Sequence, residues 1–239
     1  MNETVIDCKN VVLGYANKKP LTNPFSFSIT PGSWIGIIGD NGSGKSTFFK
    51  NILGDLTPRS GKLTVFNHPC GNKHNNRQIG YIPQSRHTDI PDHLTAFELL
   101  KATLNAYQFG IAYYSQKKIN KIKQYIDLVG ANDYAHATFK SLSGGQKKRI
   151  YLAQALINQP KLLLLDEPLA DLDLQAKHNF IRCLQKVHAE IPITVLMITH
   201  EMNEMHQYLS DFIHFHNQNV ILTPNYPFSK AFEDHCHHV

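Results

Sequence analysis

The stretch Gly39-Asp40-Asn41-Gly42-Ser43-Gly44-Lys45-Ser46-Thr47 has the residue types that grip a polyphosphate. Glycines let successive backbone N–H groups converge on phosphate oxygens without Cβ clashes. A helix starting near Lys45 would point the positive end of its dipole at them. Lys45 can then reach the β- and γ-phosphates of a nucleoside triphosphate such as ATP, and the Ser46 hydroxyl can coordinate Mg2+. Further along, Leu162-Leu163-Leu164-Leu165-Asp166-Glu167-Pro168 sets two carboxylates at the end of an apolar run. Asp166 falls at the carboxyl end of an expected parallel strand, where such sheets bind ligands. It suits a hold on Mg2+ through water. Glu167 is the candidate general base, polarising the water that attacks the γ-phosphate.

The elements that must position these groups alternate between strand and helix. Val5–Leu13 and Phe25–Ile29 carry β-type patterning, and Trp34-Ile35-Gly36-Ile37-Ile38 suits a buried strand leading into the glycine-rich loop. A helix is expected from about Lys45 to Leu53, with strands at Leu63–Phe66 and Ile79–Ile82. Leu99, Leu100, Leu104, Tyr107 and Ile111 recur at helical spacing, as do Ile119, Ile122, Ile126 and Val129. After Gly144 a helix is expected to about Asn158, then the strand Leu162–Leu165, a helix from about Leu174 to Ala189, and the strand Ile193–Thr199. This alternation predicts an α/β fold on a parallel sheet, with an antiparallel portion early and a helical insertion in the middle.

Composition narrows the class. Among 239 residues, 42% are hydrophobic and 18% charged, which is globular and not disordered. No apolar run approaches the roughly 18–20 residues that cross a bilayer, and the first residues show no secretion signal, so a membrane role would pass through a partner. The formal net charge of +5 comes without a dense Lys/Arg stripe, which argues against a nucleic-acid partner. Cys8, Cys70, Cys183 and Cys236 are scattered, so reduced thiols are expected.

The two chemical stretches resemble the Walker A and Walker B motifs, and Leu142-Ser143-Gly144-Gly145-Gln146 between them is identical to the signature sequence of the ABC ATPases. The resemblance runs from about Val5 to Ile221 and implies a P-loop NTPase fold with a RecA-like parallel-sheet core, an antiparallel β subdomain and an inserted α-helical subdomain. It implies ATP and Mg2+ as cofactors, with Ser46, Gln84 and Asp166 around the metal. Tyr15 resembles the aromatic residue that stacks on adenine, and Gln84 the Q-loop residue linking to the helical subdomain. Asp173, in Leu169-Ala170-Asp171-Leu172-Asp173, resembles the D-loop acid at a dimer interface. His200 resembles the switch histidine that contacts the γ-phosphate. In this family Ser143, Gly144, Gly145 and Gln146 meet the ATP held by the opposite subunit, so one copy of each motif implies a homodimer or a paired ATPase subunit.

One cassette, with Lys45 and Ser143 about a hundred residues apart instead of separated by a long coiled coil, resembles neither the coiled-coil DNA-repair ATPases nor the two-cassette translation factors. The expected layout is a single domain over 1–239: catalytic core with β subdomain at 1–84 and 147–223, helical subdomain at 85–146, and a His-rich tail at 224–239. The implied partners are a transmembrane permease, docked on the helical segment, and an extracytoplasmic substrate-binding protein, with the chain on the cytoplasmic side of the inner membrane. Segments around Arg77–Gln84 and Glu167–Asp173 are most similar to zinc and manganese importers. An exporter, an importer of another cargo, or a non-transport ABC ATPase in a soluble assembly complex are the alternatives. His235, Cys236, His237 and His238 are read as a solvated polar tail or a regulatory metal site, and His68, Cys70 and His74 as a looser cluster.

Overall fold

The computed structural model describes residues 4–72, 75, 77–84, 90–91, 93–105, 115–200 and 205–224. Tyr107, Ile111, His74 and the tail residues His235, Cys236, His237 and His238 lie outside the described residues. In chain order come β1 (Ile6–Val12), β2 (Phe25–Ile29), β3 (Trp34–Gly39) and α1 (Lys45–Leu53). Next are β4 (Ser60–Val65), β5 (His68–Pro69), β6 (Ile79–Ile82), α2 (Ala96–Asn105), α3 (Gln116–Leu128) and α4 (Gly144–Leu156). The series ends with β7 (Leu162–Asp166), α5 (Leu174–Glu190), β8 (Thr194–Ile198), β9 (Asp211–His216) and β10 (Asn219–Pro224).

Two sheets form. The smaller has strand order β2-β1-β4-β5 and is antiparallel throughout, with Ile6 facing Ile29 on one side and Val65 on the other. The larger has order β10-β9-β3-β8-β7-β6, parallel except for the edge hairpin of β9 and β10. The leucine run of β7 reads as continuous apolarity because both faces of its sheet are covered. Leu162 and Leu164 enter a core shared with α1 and the antiparallel sheet, alongside Phe48, Phe49 and Ile52. Leu163 and Leu165 enter the opposite core, with Ile150, Leu152, Phe180 and Leu184 of the helices α4 and α5. All four leucines are fully buried, and each contributes roughly 1.5–3 kcal/mol by leaving water. That two-sided anchorage fixes the strand whose end carries Asp166.

The sequence reading of β1, β2, β3, α1, β6, α4, β7, α5 and β8 agrees with the structure to within a few residues. It differs at β4, which begins at Ser60, three residues before the expected start, because its first residues are exposed and polar. It also lacks the two-residue β5, and β9 and β10. His214 and His216 interrupt the apolar run of β9, and only three of its six positions are buried. The hairpin turns at Asn217 and Gln218, with φ of 47° and 65°, the paired positive angles of a type I′ turn.

The neighbour β9 explains a glycine. It runs beside β3 in register, Ile37 against Ile213 and Gly39 against Phe215. A Cβ on Gly39 would lie 2.1 Å from the Phe215 carbonyl oxygen, and Gly39 has φ of +142°. Only glycine lets the strand enter the phosphate loop this close to β9.

Candidate functional site

The phosphate loop runs from the end of β3 to the start of α1. Gly44 is the N-cap of α1, at φ 115°, and its side-chain-free position leaves the first amides of the helix without a competing cap. No acid occupies the first turn, so the helix N-terminus stays open to an anion. Lys45 is 6% exposed and turns back over the loop, donating from Nζ to the carbonyls of Gly39 at 2.6 Å and Asp40 at 2.8 Å. Burial pushes its pKa down, and the carboxylates of Glu167, Asp40 and Asp166 act against that. The lysine therefore keeps its charge satisfied by groups that phosphate oxygens can replace.

The two acids predicted at the end of β7 are brought to this loop. Asp166 is 5% exposed and its carboxyl pKa is raised, first by burial and then by Glu167, against a hydrogen bond from Ser46 and the charge of Lys45. Asp166 Oδ1 is buried without a hydrogen-bond partner. A buried carboxylate oxygen left unpaired, beside the Ser46 hydroxyl, is a donor set that fits a hard divalent cation such as Mg2+.

Glu167 has φ of 49°, a positive value that β-carbon residues adopt rarely and that clusters at functional sites. The turn is held by its own backbone: Glu167 N–H donates to the Ile198 carbonyl at 3.0 Å and its carbonyl accepts from Ala170 at 3.2 Å. Its carboxylate sits between two predicted site residues. Gln84 Nε2 donates to Oε2 at 2.8 Å, and His200 Nε2 lies 3.5 Å from Oε1. Gln84 follows β6, Glu167 follows β7 and His200 follows β8, so three adjacent parallel strands end on one carboxylate. The Gln84–Glu167 bond was not foreseen from the sequence, where Gln84 was expected at the metal and as the link to the helical subdomain.

Tyr15 stands on the other side of the loop, 37% exposed. A hydrogen bond with the Thr47 side chain, with Lys50 and Lys18 nearby, lowers the pKa of its phenol against the opposing effect of burial. Lys18 Nζ lies 5.7 Å from the ring centroid. The phenol thus has the Thr47 hydroxyl near it, while the ring is open to solvent.

Ser143, Gly144, Gly145 and Gln146 open α4 and carry a local duty of their own. Ser143 Oγ accepts from the Gln146 N–H at 3.3 Å and Gln146 Oε1 accepts from the Ser143 N–H at 2.9 Å, a reciprocal capping box. The pattern Ser-x-x-Gln carried that signal in the sequence. Asp173 likewise caps α5, its Oδ1 accepting from the Ala176 N–H at 2.7 Å. A cleft of about 930 Å3 lies at the far end of the parallel strands, lined by Gln78, Lys161, Pro192 and Thr194 among others, and none of the motif residues reaches it.

Comparison with known proteins agrees with this fold. The model of the family described as "ABC transporter" matches residues 22–170. A Chlamydia pneumoniae protein described as "Probable metal transport system ATP-binding protein" is 32% identical over 94% of this chain and 90% of its own. The zinc import ATP-binding protein ZnuC of Wigglesworthia glossinidia brevipalpis is 31% identical, over 84% of this chain and 78% of its own. Among solved structures, CbiO1 of Clostridium perfringens, part of an ABC transporter complex, superposes with a TM-score of 0.82 at 24% identity, covering 93% of this chain and 89% of that one. With a P-loop, two strand-end carboxylates and the signature helix in one α/β fold, the chain belongs to the ABC transporter family as one of its ATP-binding, ATP-hydrolysing subunits.

Proposed function

We propose that this subunit powers import of a divalent transition metal, zinc or manganese, as one half of a head-to-tail ATPase dimer bound to a permease. The carboxylate of Glu167, held by Gln84 and His200 beside the orphaned oxygen of Asp166, is the observation that carries the catalytic part of this reading. In it, Glu167 takes the proton of the attacking water, and His200 and Gln84 orient its carboxylate and sense the γ-phosphate. Lys45 exchanges the carbonyls of Gly39 and Asp40 for phosphate oxygens. Ser46, Gln84 and Asp166 would hold Mg2+, whose charge offsets that of the phosphates. Tyr15 stacks on the adenine.

The dimer reading is supported by the signature helix. Its Ser143 and Gln146 side chains accept from each other's backbone N–H, so what this helix end can offer a nucleotide is the Ser143 hydroxyl proton and the N-terminal amides of Gly144 and Gly145, and these serve the ATP of the opposite subunit. Closure on ATP and reopening after hydrolysis would rock the permease between its two faces. Among the described residues no helix is long and apolar enough to cross a membrane. The subunit would sit on the cytoplasmic side of the inner membrane, peripheral through the permease, with an extracytoplasmic substrate-binding protein delivering cargo and no nucleic-acid partner. The metal assignment is supported by what the relatives' names say of those proteins.

The test is the content of zinc, manganese and iron in metal-starved cells carrying wild-type or Lys45→Ala protein, with parallel importers removed. A selective fall of one metal in the variant is expected and names the cargo. Unchanged levels of all three would overturn the metal reading while leaving the ATPase in place.

A further inference from the structure

Tyr15 lies on the chain between β1 and β2, outside any strand, and a ring on such a segment needs something to hold its backbone still. The base of the segment is closed by the Leu21 N–H donating to the Leu13 carbonyl at 2.9 Å and by the Leu13 N–H donating to Thr22 Oγ1 at 3.0 Å. Its tip is a turn in which the Lys18 N–H donates to the Tyr15 carbonyl at 3.3 Å and Asn17 has φ of 62°. Between base and tip, one side chain from elsewhere reaches in. Arg59, in the link from α1 to β4, donates from Nη1 to the Tyr15 carbonyl at 2.9 Å and also to the Lys18 carbonyl. Its own backbone N–H donates to the Val12 carbonyl at 2.9 Å, so the guanidinium stem starts at the strand from which the segment departs. The stem lies on Gly14, where an added Cβ would stand 2.6 Å from Arg59 Cδ.

We propose that Arg59 is a positioning residue for nucleotide recognition, fixing the backbone on which Tyr15 is carried so that the ring is poised for the base before ATP arrives. The proposal rests on the reading of Tyr15 as the adenine platform. Its physical content is preorganisation: one guanidinium nitrogen, bound to two carbonyls of one turn, removes conformers that would otherwise be lost on binding. Because Arg59 acts through the ring, its effect should appear with a base and vanish without one. A direct attraction of its charge for phosphates would appear with both.

The experiment measures binding of MgATP and of magnesium tripolyphosphate to the purified full chain by calorimetry, for wild type, Tyr15→Ala, Arg59→Met and the double variant. Tyr15→Ala should weaken MgATP binding about tenfold, the scale of one lost base–aromatic stack. Arg59→Met should weaken it about three- to fivefold, leave tripolyphosphate binding at the wild-type level, and add nothing in the Tyr15→Ala background. If Arg59→Met proves unfolded by circular dichroism, Arg59→Lys, which keeps the stem and one donor, should fall between wild type and Tyr15→Ala on ATP alone. Equal weakening of both ligands would overturn the proposal, as would wild-type ATP affinity in the Arg59 variants beside a weakened Tyr15→Ala. Wild-type ATP affinity in Tyr15→Ala would overturn the stacking reading itself, and the two failures are thereby told apart.

Discussion

The end of β7 and the start of α4 both carry motif residues, and they are built in opposite ways. At the end of β7, Glu167 is engaged by side chains from outside its own strand, Gln84 at 2.8 Å and His200 at 3.5 Å, and Asp166 keeps a buried oxygen unpaired. At the start of α4, Ser143 and Gln146 accept from each other's backbone N–H. The first region is assembled by tertiary structure within one chain, whereas the second is satisfied locally. In the proposed head-to-tail dimer, the acids of the first region and the hydrogen-bond donors of the second would belong to two different composite sites.

The largest effect comes from breaking the first region. Replacing Glu167 by Gln keeps the size of the side chain and its contact with Gln84 but removes the proposed base. Hydrolysis should fall by about a hundredfold to ten-thousandfold, the usual contribution of a positioned general base, while ATP still binds and the dimer stays closed. Phosphate release and size-exclusion chromatography with ATP would show both. Hydrolysis at the wild-type rate would mean that another group takes the proton.

The comparison is sharpened by mixing two dead chains. Lys45→Ala removes the phosphate ligand, and Ser143→Arg disrupts the signature of a chain whose own phosphate loop is intact. Each alone should lose most of its hydrolysis. Mixed, they can form a dimer in which the intact loop of one faces the intact signature of the other, and a measurable fraction of activity should return. No recovery, from variants that still dimerise with wild type, would count against the head-to-tail arrangement.

How much of this was legible in the sequence follows the same division. The glycine pattern, the leucine run ending in Asp166 and Glu167, and the signature are all contiguous, so their residue types announce their chemistry. The two-sided burial of β7 was visible too, because four leucines in succession fit a strand covered on both faces. Two kinds of information were not. The hold of Gln84 on Glu167 and of Arg59 on the Tyr15 carbonyl span 83 and 44 residues, and no local pattern encodes a contact at that range. The edge hairpin was hidden for a different reason: the half-buried His214 and the exposed His216, Asn217 and Gln218 erase the alternation. The duty of Gly39 depends on that hairpin strand and was hidden with it.

The smallest effect concerns what the unpaired acid costs the fold. Burial and the neighbouring Glu167 raise the Asp166 pKa above its value in the unfolded chain. The folded state therefore holds that proton to higher pH than the unfolded state does. Stability falls as pH rises through the interval between the two values, and the cost is present in full above it. Asp166→Asn removes the charge and keeps an oxygen for the Ser46 hydroxyl. Without nucleotide or Mg2+, the variant should melt above wild type at neutral pH, because the cost of the raised carboxyl pKa is then present in full in the wild type. The gap should close as pH falls through the same interval, because wild-type Asp166 is then neutral as well. Scanning calorimetry at several pH values would test both the sign and the window. A variant that melts at or below wild type at neutral pH would show that the carboxylate is paired in the free protein. The first region would then be as self-contained as the second.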